Sequence, residues 1–588
     1  MVEDGYVYAR VETPSVQVAT LLPQVLDGII HGISWPKSQR WGSQSEWFSR
    51  PVRWLVALFG TDVIPYQYAG LTAANRTCGH RFLAPGFYDV ASADTLIDVV
   101  RGAKVVPSAA EREALIREGV AAIERKTGLV ADLPAKTLTE VVNLAEYPTV
   151  LEGVFDEEFL AVPEEIIVDA MLMHQRYFPL YDTEGSLTNH FLVVSNGDPD
   201  CAATIIDGNE RVVRARLYDA KFFYDEDLKN PLESYVDKLS DVVFQEKLGT
   251  MLAKTNRLVR LAKHLVADAH LSEDDATNAV RAAYLCKADL VTEAVVEFTS
   301  VQGIMGSYYA AASGETDQVA HAIADHYRPR FSGDEPPAEA PSQVVAIVDK
   351  LDTICGLFAV GQGPTGSSDP FALRRSALGI VNILLDTSHG EPLSLSLVSA
   401  IDAALDIYEA DGLTFDRADI RAQIIEFFIT RTKVMLRDAG NAVDAIDAVL
   451  AVGVQEPVEC VKRVQALEKA RAESREVFDD LATAFARAHN LCDVSLGTQI
   501  DENLLNEVEH ALSSAVVQAE SRVAQALKDN DYATALVELA SLRKPIDMFF
   551  ERVMVMDEDL QVRENRIKLL NRFVAIFVHV ADFSELSK

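Results

Sequence analysis

Two adjacent arginines, Arg374 and Arg375, follow a stretch rich in glycine, proline and serine at residues 361–368. The guanidinium group matches the geometry of phosphate oxygens, and small residues let a phosphate approach the backbone closely, so this pattern could bind a phosphate. The same residues could instead form a tight turn between two helices, with both arginines paired to nearby carboxylates. Local physical chemistry alone favours the turn.

Two helices must position these arginines. Before the loop, apolar residues recur at helical spacing over 351–358, and Asp349 and Asp352 lie three positions apart on one face. Glycine and proline then end that helix. After the loop, Asp369 is placed to cap the next helix with Pro370 at its first position, where the missing N–H of proline would be unpaired in any case. The sequence therefore predicts a helix, a loop and a second helix.

Composition limits the classes of function. The chain has 588 residues, 49% apolar and 24% charged, which is typical of a globular protein with several domains. A formal net charge of −35 argues against a protein that coats nucleic acid through bulk charge, so any RNA contact must come from local basic surfaces. The 6 cysteines show no Cys-x-x-Cys pairing, which favours reduced thiols in a cytosolic protein. No apolar run reaches membrane-spanning length, so we expect a cytoplasmic protein without membrane contact.

Secondary-structure patterns divide the chain into three regions. Short apolar runs alternate with helical periodicity over residues 1–235, which predicts an α+β region of one or two subdomains, beginning with a strand through Tyr6, Tyr8 and Val11. A period of 3.6 residues predicts an all-α domain over 236–390. Helix follows helix over 391–588 without a fixed repeat, so we do not expect a solenoid.

The stretch 349–378, DKLDTICGLFAVGQGPTGSSDPFALRRSAL, closely resembles the signature of the beta subunit of bacterial heterotetrameric glycyl-tRNA synthetases. Family members begin earlier, with a Thr-Glu-Glu-Leu-Pro-like motif that is not found here, so the resemblance implies a chain without the usual N-terminal segment. Further similar stretches follow in the family's order at 40–60, 78–86, 174–187, 208–229, 297–310, 327–337 and 542–570.

The resemblance implies a subunit that binds tRNA and performs no chemistry itself. In the family, adenylation and aminoacyl transfer occur on the alpha subunit, so ATP and magnesium are expected there, and we assign neither a cofactor nor a catalytic residue to this chain. The expected partners are tRNA(Gly) and the alpha subunit in an alpha2-beta2 tetramer. Candidates for tRNA contacts are Arg211, Arg214, Arg216, Arg328, Arg330, Arg374, Arg375, Arg543, Arg552, Arg563, Arg566 and Lys568.

The resemblance also assigns the helical regions. Residues 236–390 are similar to the HD superfamily of metal-dependent phosphohydrolases, but the matching stretches 285–289 and 349–352 contain no adjacent His-Asp pair. The ammonium of Lys287 at a ligand position would repel a divalent ion, so we expect a degenerate HD-like domain without metal chemistry. Residues 391–588 are expected to form a helical linker and a DALR-type anticodon-binding domain, as in arginyl-tRNA synthetases, on the strength of the match at 542–570.

Two other functions stay open at this point. An active HD-type phosphohydrolase acting on nucleotides or RNA would need clustered ligands, whereas the 12 histidines show no metal-ligand spacing. A non-catalytic helical scaffold would bind no tRNA. The basic residues of the last helix, which have only Glu564 near them in sequence, could offer cations to RNA or form an ordinary solvated face.

Overall fold

The computed structural model describes Val2–Glu3, Tyr6–Val7 and residues 16–587. The chain forms two compact units, Met1–Glu226 and Asp227–Lys588. Tyr6 lies in a strand, as expected, whereas Tyr8 and Val11 lie outside the described residues.

The first unit combines short strands with helices. Its strands are β1 (Val2–Glu3), β2 (Tyr6–Val7), β3 (Leu58–Phe59), β4 (Asp62–Val63), β5 (Gln67–Tyr68), β6 (Leu71–Thr72), β7 (Arg76–Cys78), β8 (Phe87–Asp89), β9 (Val130–Ala131), β10 (Thr149–Val154), β11 (Phe178–Tyr181) and β12 (Leu187–Ser195). The helices are α1 (Val18–Gly32), α2 (Leu96–Gly102), α3 (Ala109–Thr127), α4 (Ala135–Leu144), α5 (Glu164–Asp169) and α6 (Ala202–Asp227).

An antiparallel sheet with the strand order β10-β12-β11-β9 is the largest sheet of this unit. Helices α3 and α4 each bury an apolar stripe against it, because Ile116 and Val120 of α3 and Leu138 of α4 pack with Phe178 and Leu192 of the sheet. The predicted α+β character of the N-terminal region is therefore confirmed.

The second unit is helical apart from the hairpin of β13 (Val243–Gln245) and β14 (Gly249–Thr250) in its described residues. Its helices are α7 (Met251–Asp268), α8 (Glu273–Leu285), α9 (Glu293–Glu297), α10 (Ile304–Ala312), α11 (Asp317–Asp325), α12 (Ala340–Ala359), α13 (Leu373–Leu385), α14 (Leu397–Ala410), α15 (Arg417–Asp438), α16 (Val443–Ala451), α17 (Pro457–Glu473), α18 (Arg475–Leu491), α19 (Glu507–Lys528), α20 (Tyr532–Ala540), α21 (Arg543–Arg552) and α22 (Leu560–Val578). None of the helices described in either unit is long and apolar enough to span a membrane.

Helix α12 is the central helix of the first half of this unit. It packs against α7, α8, α11, α13, α14 and α15, and nearly all of its residues are buried. The run Val344–Val348 is apolar on every side, which is typical of a helix surrounded by others. Gly356 allows α14 to approach closely, because a Cβ atom there would lie 2.6 Å from Cζ of Tyr408 and 2.8 Å from Cδ1 of Leu248.

The predicted start of the helix after the loop is wrong by three residues. Helix α13 begins at Leu373, and Pro370 lies in the turn before it. Ala372 adopts a left-handed φ of 54°, which turns the chain just before the helix begins. Asp369 still caps this helix, because its carboxylate accepts the main-chain N–H groups of Leu373 (2.9 Å) and Arg374 (3.0 Å).

Helices α16 to α22 enclose a separate apolar core. Buried aromatic rings from three of these helices, Phe485, Phe549, Phe573 and Phe577, lie in it. Asn506 and Glu509 form a capping box at the start of α19, and Asp559 caps α22. These start signals define the last helices, which carry most of the C-terminal candidate residues.

Candidate nucleic-acid interface

A buried ionic network joins α7 to α12. Arg257 binds Asp352 through two hydrogen bonds, Nε to Oδ1 (2.7 Å) and Nη2 to Oδ2 (3.3 Å). Lys254 Nζ lies 3.2 Å from Asp352 Oδ2 and 3.0 Å from Asp349 Oδ1. The three-residue spacing on each helix brings both members of each pair to the shared face, as the sequence predicts for Asp349 and Asp352. All four side chains are buried, so each charge depends on its partners.

The ammonium of Lys287 connects this network to a histidine. Its Nζ lies 2.9 Å from Asp349 Oδ2 and 2.8 Å from His326 Nε2. Because Nε2 must accept from the ammonium, Nδ1–H of His326 donates to the carbonyl oxygen of Ile323 (2.7 Å). Burial, together with the Lys287 charge, holds the pKa of His326 well below its usual value, so the imidazole is neutral.

Asp349 is ionised in this setting. Burial alone would raise its pKa, but Lys254 and Lys287 hold the pKa well below the usual value. The ammonium of Lys287 thus links a neutral histidine to a carboxylate. Within the described part of the chain, no group of three or more His, Cys, Asp and Glu side chains is arranged to hold a metal ion.

Asp289 is a second buried carboxyl group near Lys287. Its Oδ2 accepts the main-chain N–H groups of Gly303 (2.5 Å) and Gly306 (3.1 Å), while Oδ1 has no hydrogen-bond partner. Burial raises its pKa from 3.8 to about 6. This carboxyl group fixes the turn that precedes α10.

A cleft of about 430 Å³ opens beside the network. Lys350 lies in its wall, buried, and donates hydrogen bonds to the main-chain oxygens of His326 (3.1 Å) and Arg328 (2.6 Å). Burial lowers the pKa of Lys350 to about 8. The lining residues are Ser300, Gln302, Tyr327, Pro329, Arg330, Asp349, Lys350, Thr353, Phe371, Ala372, Arg375 and Ser376.

The two adjacent arginines have different environments. Arg374 closes the loop by donating to the main-chain oxygen of Gly366 (2.6 Å). Arg375 lines the cleft and donates to the main-chain oxygen of Arg330 (3.2 Å). Neither forms an ion pair with a carboxylate among the described residues, so the carboxylate partners expected for a simple turn are wrong.

The other candidates in the first half of the chain are mostly paired. Arg211 lies 2.7 Å from Asp207 on α6, and Arg214 lies 2.8 Å from Asp156. Arg216 is half-buried on the same helix. In the second unit, Arg328 lies 3.6 Å from Asp325. Exposed pairs of this kind are weak and can exchange a carboxylate for a phosphate.

The C-terminal candidates divide into two groups. Arg566 is 12% exposed and lies 2.5 Å from Glu509 and 2.6 Å from Asp557, and Arg543 pairs with Asp480. These two arginines are engaged in the fold. A second group has no ion pair within the part of the chain that the structure describes: Arg552, Arg563 and Lys568.

Sequence reasoning missed the surroundings of two residues. The carboxylate partners of Arg566 come from α19 and from the turn before α22, so Glu564, the acid beside it in sequence, does not indicate how Arg566 is paired. The sequence gives no signal for His326, because it lies 39 positions from Lys287. The dipeptide Asp325-His326 has the reverse of the His-Asp order of the HD superfamily, and Asp349 reaches His326 only through the lysine.

Comparison with known proteins defines the class of this chain. Residues 481–579 match the model of the DALR anticodon binding domain, which confirms the expected domain type and indicates a protein that binds tRNA. Residues 1–451 match the model described as glycyl-tRNA synthetase beta subunit. The chain belongs to this family, and the resemblance read from its sequence is confirmed.

Individual relatives from three bacteria support the same family assignment. The chain is 42% identical over 585 residues to the glycine--tRNA ligase beta subunit of Moorella thermoacetica, covering 99% of this chain and 83% of the relative. It is 38% identical over 585 residues to the beta subunit of Clostridioides difficile, covering 99% and 84%. Identity to the beta subunit of Chromohalobacter salexigens is 40% over 587 residues, covering 98% and 83%.

Proposed function

We propose that this chain is the tRNA-binding beta subunit of a glycine–tRNA ligase. It holds tRNA(Gly) while glycine is joined to the tRNA, with ATP and magnesium bound by an alpha subunit in an alpha2-beta2 tetramer. The observation that carries the proposal is the DALR anticodon binding domain match at 481–579 in a chain whose residues 1–451 match the beta-subunit model.

The C-terminal helices are proposed to contact the anticodon loop. Proteins read RNA mainly through unstacked loop bases, while phosphate contacts position the RNA. Arg552, Arg563 and Lys568 carry cations without an ion pair among the described residues, so they can bind phosphates without first breaking one. Arg543 and Arg566 act indirectly, because their carboxylate partners already hold them in the fold.

The remaining candidates are proposed to contact other parts of the tRNA. Arg330 and Arg375 line the cleft of the second unit, and Arg374 shapes its loop. The first unit would contribute through Arg211, Arg214 and Arg216, and the second also through Arg328. Each of the paired arginines would exchange an exposed carboxylate for a phosphate.

For the domains, we infer an α+β region over 1–235, an HD-like helical domain over 236–390 and a helical linker with the DALR-type domain over 391–588. Support for a degenerate HD-like domain is the position of Lys287 between His326 and Asp349. A fixed ammonium there opposes binding of a divalent cation, which argues against the metal-dependent phosphohydrolase.

Aminoacylation tests the proposal. Glycylation of tRNA(Gly) with ATP is measured with this chain alone, the alpha subunit alone and the mixture. We expect activity only, or far more strongly, in the mixture. Failure of the two proteins to co-elute, together with no binding of tRNA(Gly), would overturn the proposal.

Variants that replace a basic side chain with glutamine test whether tRNA contacts the C-terminal helices. Arg563→Gln and Lys568→Gln are expected to weaken tRNA binding and to reduce its salt dependence by about one released counterion each. Lys263→Gln is the matched control, because Lys263 is an exposed cation of α7 outside the DALR domain. An equal loss in the control would indicate a bulk charge effect and exclude the proposed C-terminal contacts.

A further inference from the structure

The cleft between α12 and α13 carries positive charge without a matching carboxylate. Lys350, Arg330 and Arg375 line it, and none of the three forms an ion pair within the described residues. Asp334, an acid on the neighbouring loop, accepts the main-chain N–H of Arg330 (2.5 Å) and forms no ion pair with these three cations among the residues that the structure describes, although its charge acts on Lys350 from a distance. In a chain with a net charge of −35, most other arginines have a carboxylate partner, so this concentration of unpaired cations needs a reason.

The carboxylate in the cleft wall does not supply the missing charge. Asp349 already binds Lys254 (3.0 Å) and Lys287 (2.9 Å), so its charge is shared between two buried ammonium groups. Lys350 adds a buried ammonium group to a network in which the carboxylates of Asp349 and Asp352 are already shared among Lys254, Lys287 and Arg257. A buried cation without a counterion is costly, and an anionic ligand would offset that cost.

The rest of the cleft suits a flat, polar molecule. Phe371 contributes an aromatic side chain that is 43% exposed although it lies in the wall, whereas the ring of Tyr327 already has Lys287 Nζ 4.0 Å from its centroid. Gln302 lies opposite with an amide that accepts from the Tyr327 hydroxyl (3.3 Å). Aromatic rings stack on bases, and amide groups hydrogen-bond to base edges. A volume of about 430 Å³ is within the range of pockets for small molecules.

We propose that this cleft binds a phosphorylated nucleoside, with the phosphate held by Arg330, Arg375 and Lys350 and the base placed against the exposed ring of Phe371. Guanidinium groups bind phosphate oxygens through paired hydrogen bonds, which the two exposed arginines can supply at the cleft mouth. The ligand is either a free nucleotide or a nucleotide within tRNA. If the ligand is a nucleotide within tRNA, the site rests on the proposed function; if it is a free nucleotide, the site goes beyond that function, because a small ligand can occupy it whether or not the anticodon is bound.

Equilibrium binding tests this site with the full chain. The probes are AMP, GMP, CMP and UMP, and separately tRNA(Gly). Arg375→Gln and Arg330→Gln change exposed side chains and should leave the fold intact, whereas Lys350→Met is used only if its circular dichroism matches that of the unchanged chain. Lys263→Gln, an exposed lysine outside the cleft, is the control.

We expect each arginine variant to weaken nucleotide binding by roughly tenfold or more, because each removes a charge-assisted hydrogen bond, and the control to bind normally. Weaker binding of mononucleotides with unchanged tRNA affinity identifies a free nucleotide as the ligand. If the arginine variants lose affinity for tRNA, the ligand is a nucleotide of the tRNA. In that case mononucleotides either do not bind or compete with tRNA for binding to the unchanged chain.

The proposal is overturned if both arginine variants bind mononucleotides and tRNA as the unchanged chain does. Glycylation by the mixture of subunits is measured in parallel. If that activity is present while the cleft variants behave as the control does, the cleft site is wrong and the beta-subunit function stands. If the mixture is inactive while mononucleotide binding depends on the two arginines, the cleft site stands and the beta-subunit function is wrong.

Discussion

Replacing Asp352 with asparagine should destabilise the second unit strongly. The carboxylate is 2% exposed and receives Arg257 at 2.7 and 3.3 Å and Lys254 at 3.2 Å. Asparagine keeps the shape but removes the charge, so the buried guanidinium of Arg257 loses its counterion. Lys254 retains Asp349 at 3.0 Å, so Arg257 accounts for most of the loss. Removing one partner of a buried pair costs about 3–5 kcal/mol, and we expect a loss within that range.

An exposed pair that includes a residue of α7, the helix of Arg257, provides the control. Arg260 lies 2.5 Å from Asp411, and the two side chains are 41% and 37% exposed. Asp411→Asn should therefore lower the free energy of unfolding by no more than about 1 kcal/mol. Urea unfolding followed by far-UV circular dichroism reports mainly the helical unit. All 4 tryptophans (Trp35, Trp41, Trp47 and Trp54) lie in the first unit, so their fluorescence follows that unit separately.

A double variant separates charge from packing. If the loss in Asp352→Asn arises from an unpaired buried cation, Arg257→Met combined with Asp352→Leu should recover much of the stability, because a buried pair replaced by apolar groups is often neutral. Equal losses of unfolding free energy for Asp352→Asn and Asp411→Asn would refute the reasoning. So would a double variant that loses more unfolding free energy than Arg257→Met and Asp352→Leu lose together as single variants.

Three further predictions concern other parts of the chain. Arg566→Gln should lower the free energy of unfolding by roughly 3 kcal/mol, because its carboxylate partner on α19 is buried, whereas Arg563→Gln should weaken tRNA binding without a measurable change in stability; similar unfolding curves for the two variants would contradict this division. The raised pKa of Asp289 favours the protonated carboxyl in the folded state, so its contribution to stability is complete below its ordinary pKa of 3.8 and is lost as the pH rises through about 6. The stability difference between the unchanged chain and Asp289→Asn should therefore change by on the order of 3 kcal/mol between about pH 4 and pH 7, as measured by urea unfolding at several pH values, and a flat difference would disprove it. Gly356→Ala should destabilise the protein by about 1–3 kcal/mol in the same assay, because the new methyl group meets the Tyr408 ring, although alanine is the better helix former; no loss would mean that α14 can move away.

The sequence predicted best what depends on local periodicity. Asp349 and Asp352 lie on one face of α12 because helical spacing alone determines it. The start of α13 was misplaced because the left-handed φ of Ala372 is unusual for alanine and has no local sequence signal.

Contacts between distant elements were not predictable. The sequence singles out Lys287 as an obstacle to a metal ligand set, but its bond to His326 depends on how α8 and the end of α11 approach each other. The partners of Arg566 likewise come from another helix and a turn. Such pairings depend on tertiary packing, which residue spacing in one sequence does not encode.

His326 and Asp349 are joined by the ammonium group of Lys287, which is part of the polypeptide itself. A bound metal ion exchanges with its surroundings, so the occupancy of such a centre depends on how much free metal is present. The ammonium of Lys287 cannot dissociate from the chain, and its local concentration is set by its covalent attachment. This junction of helices therefore assembles with the fold and keeps its charge when chelators are present or when metal is scarce.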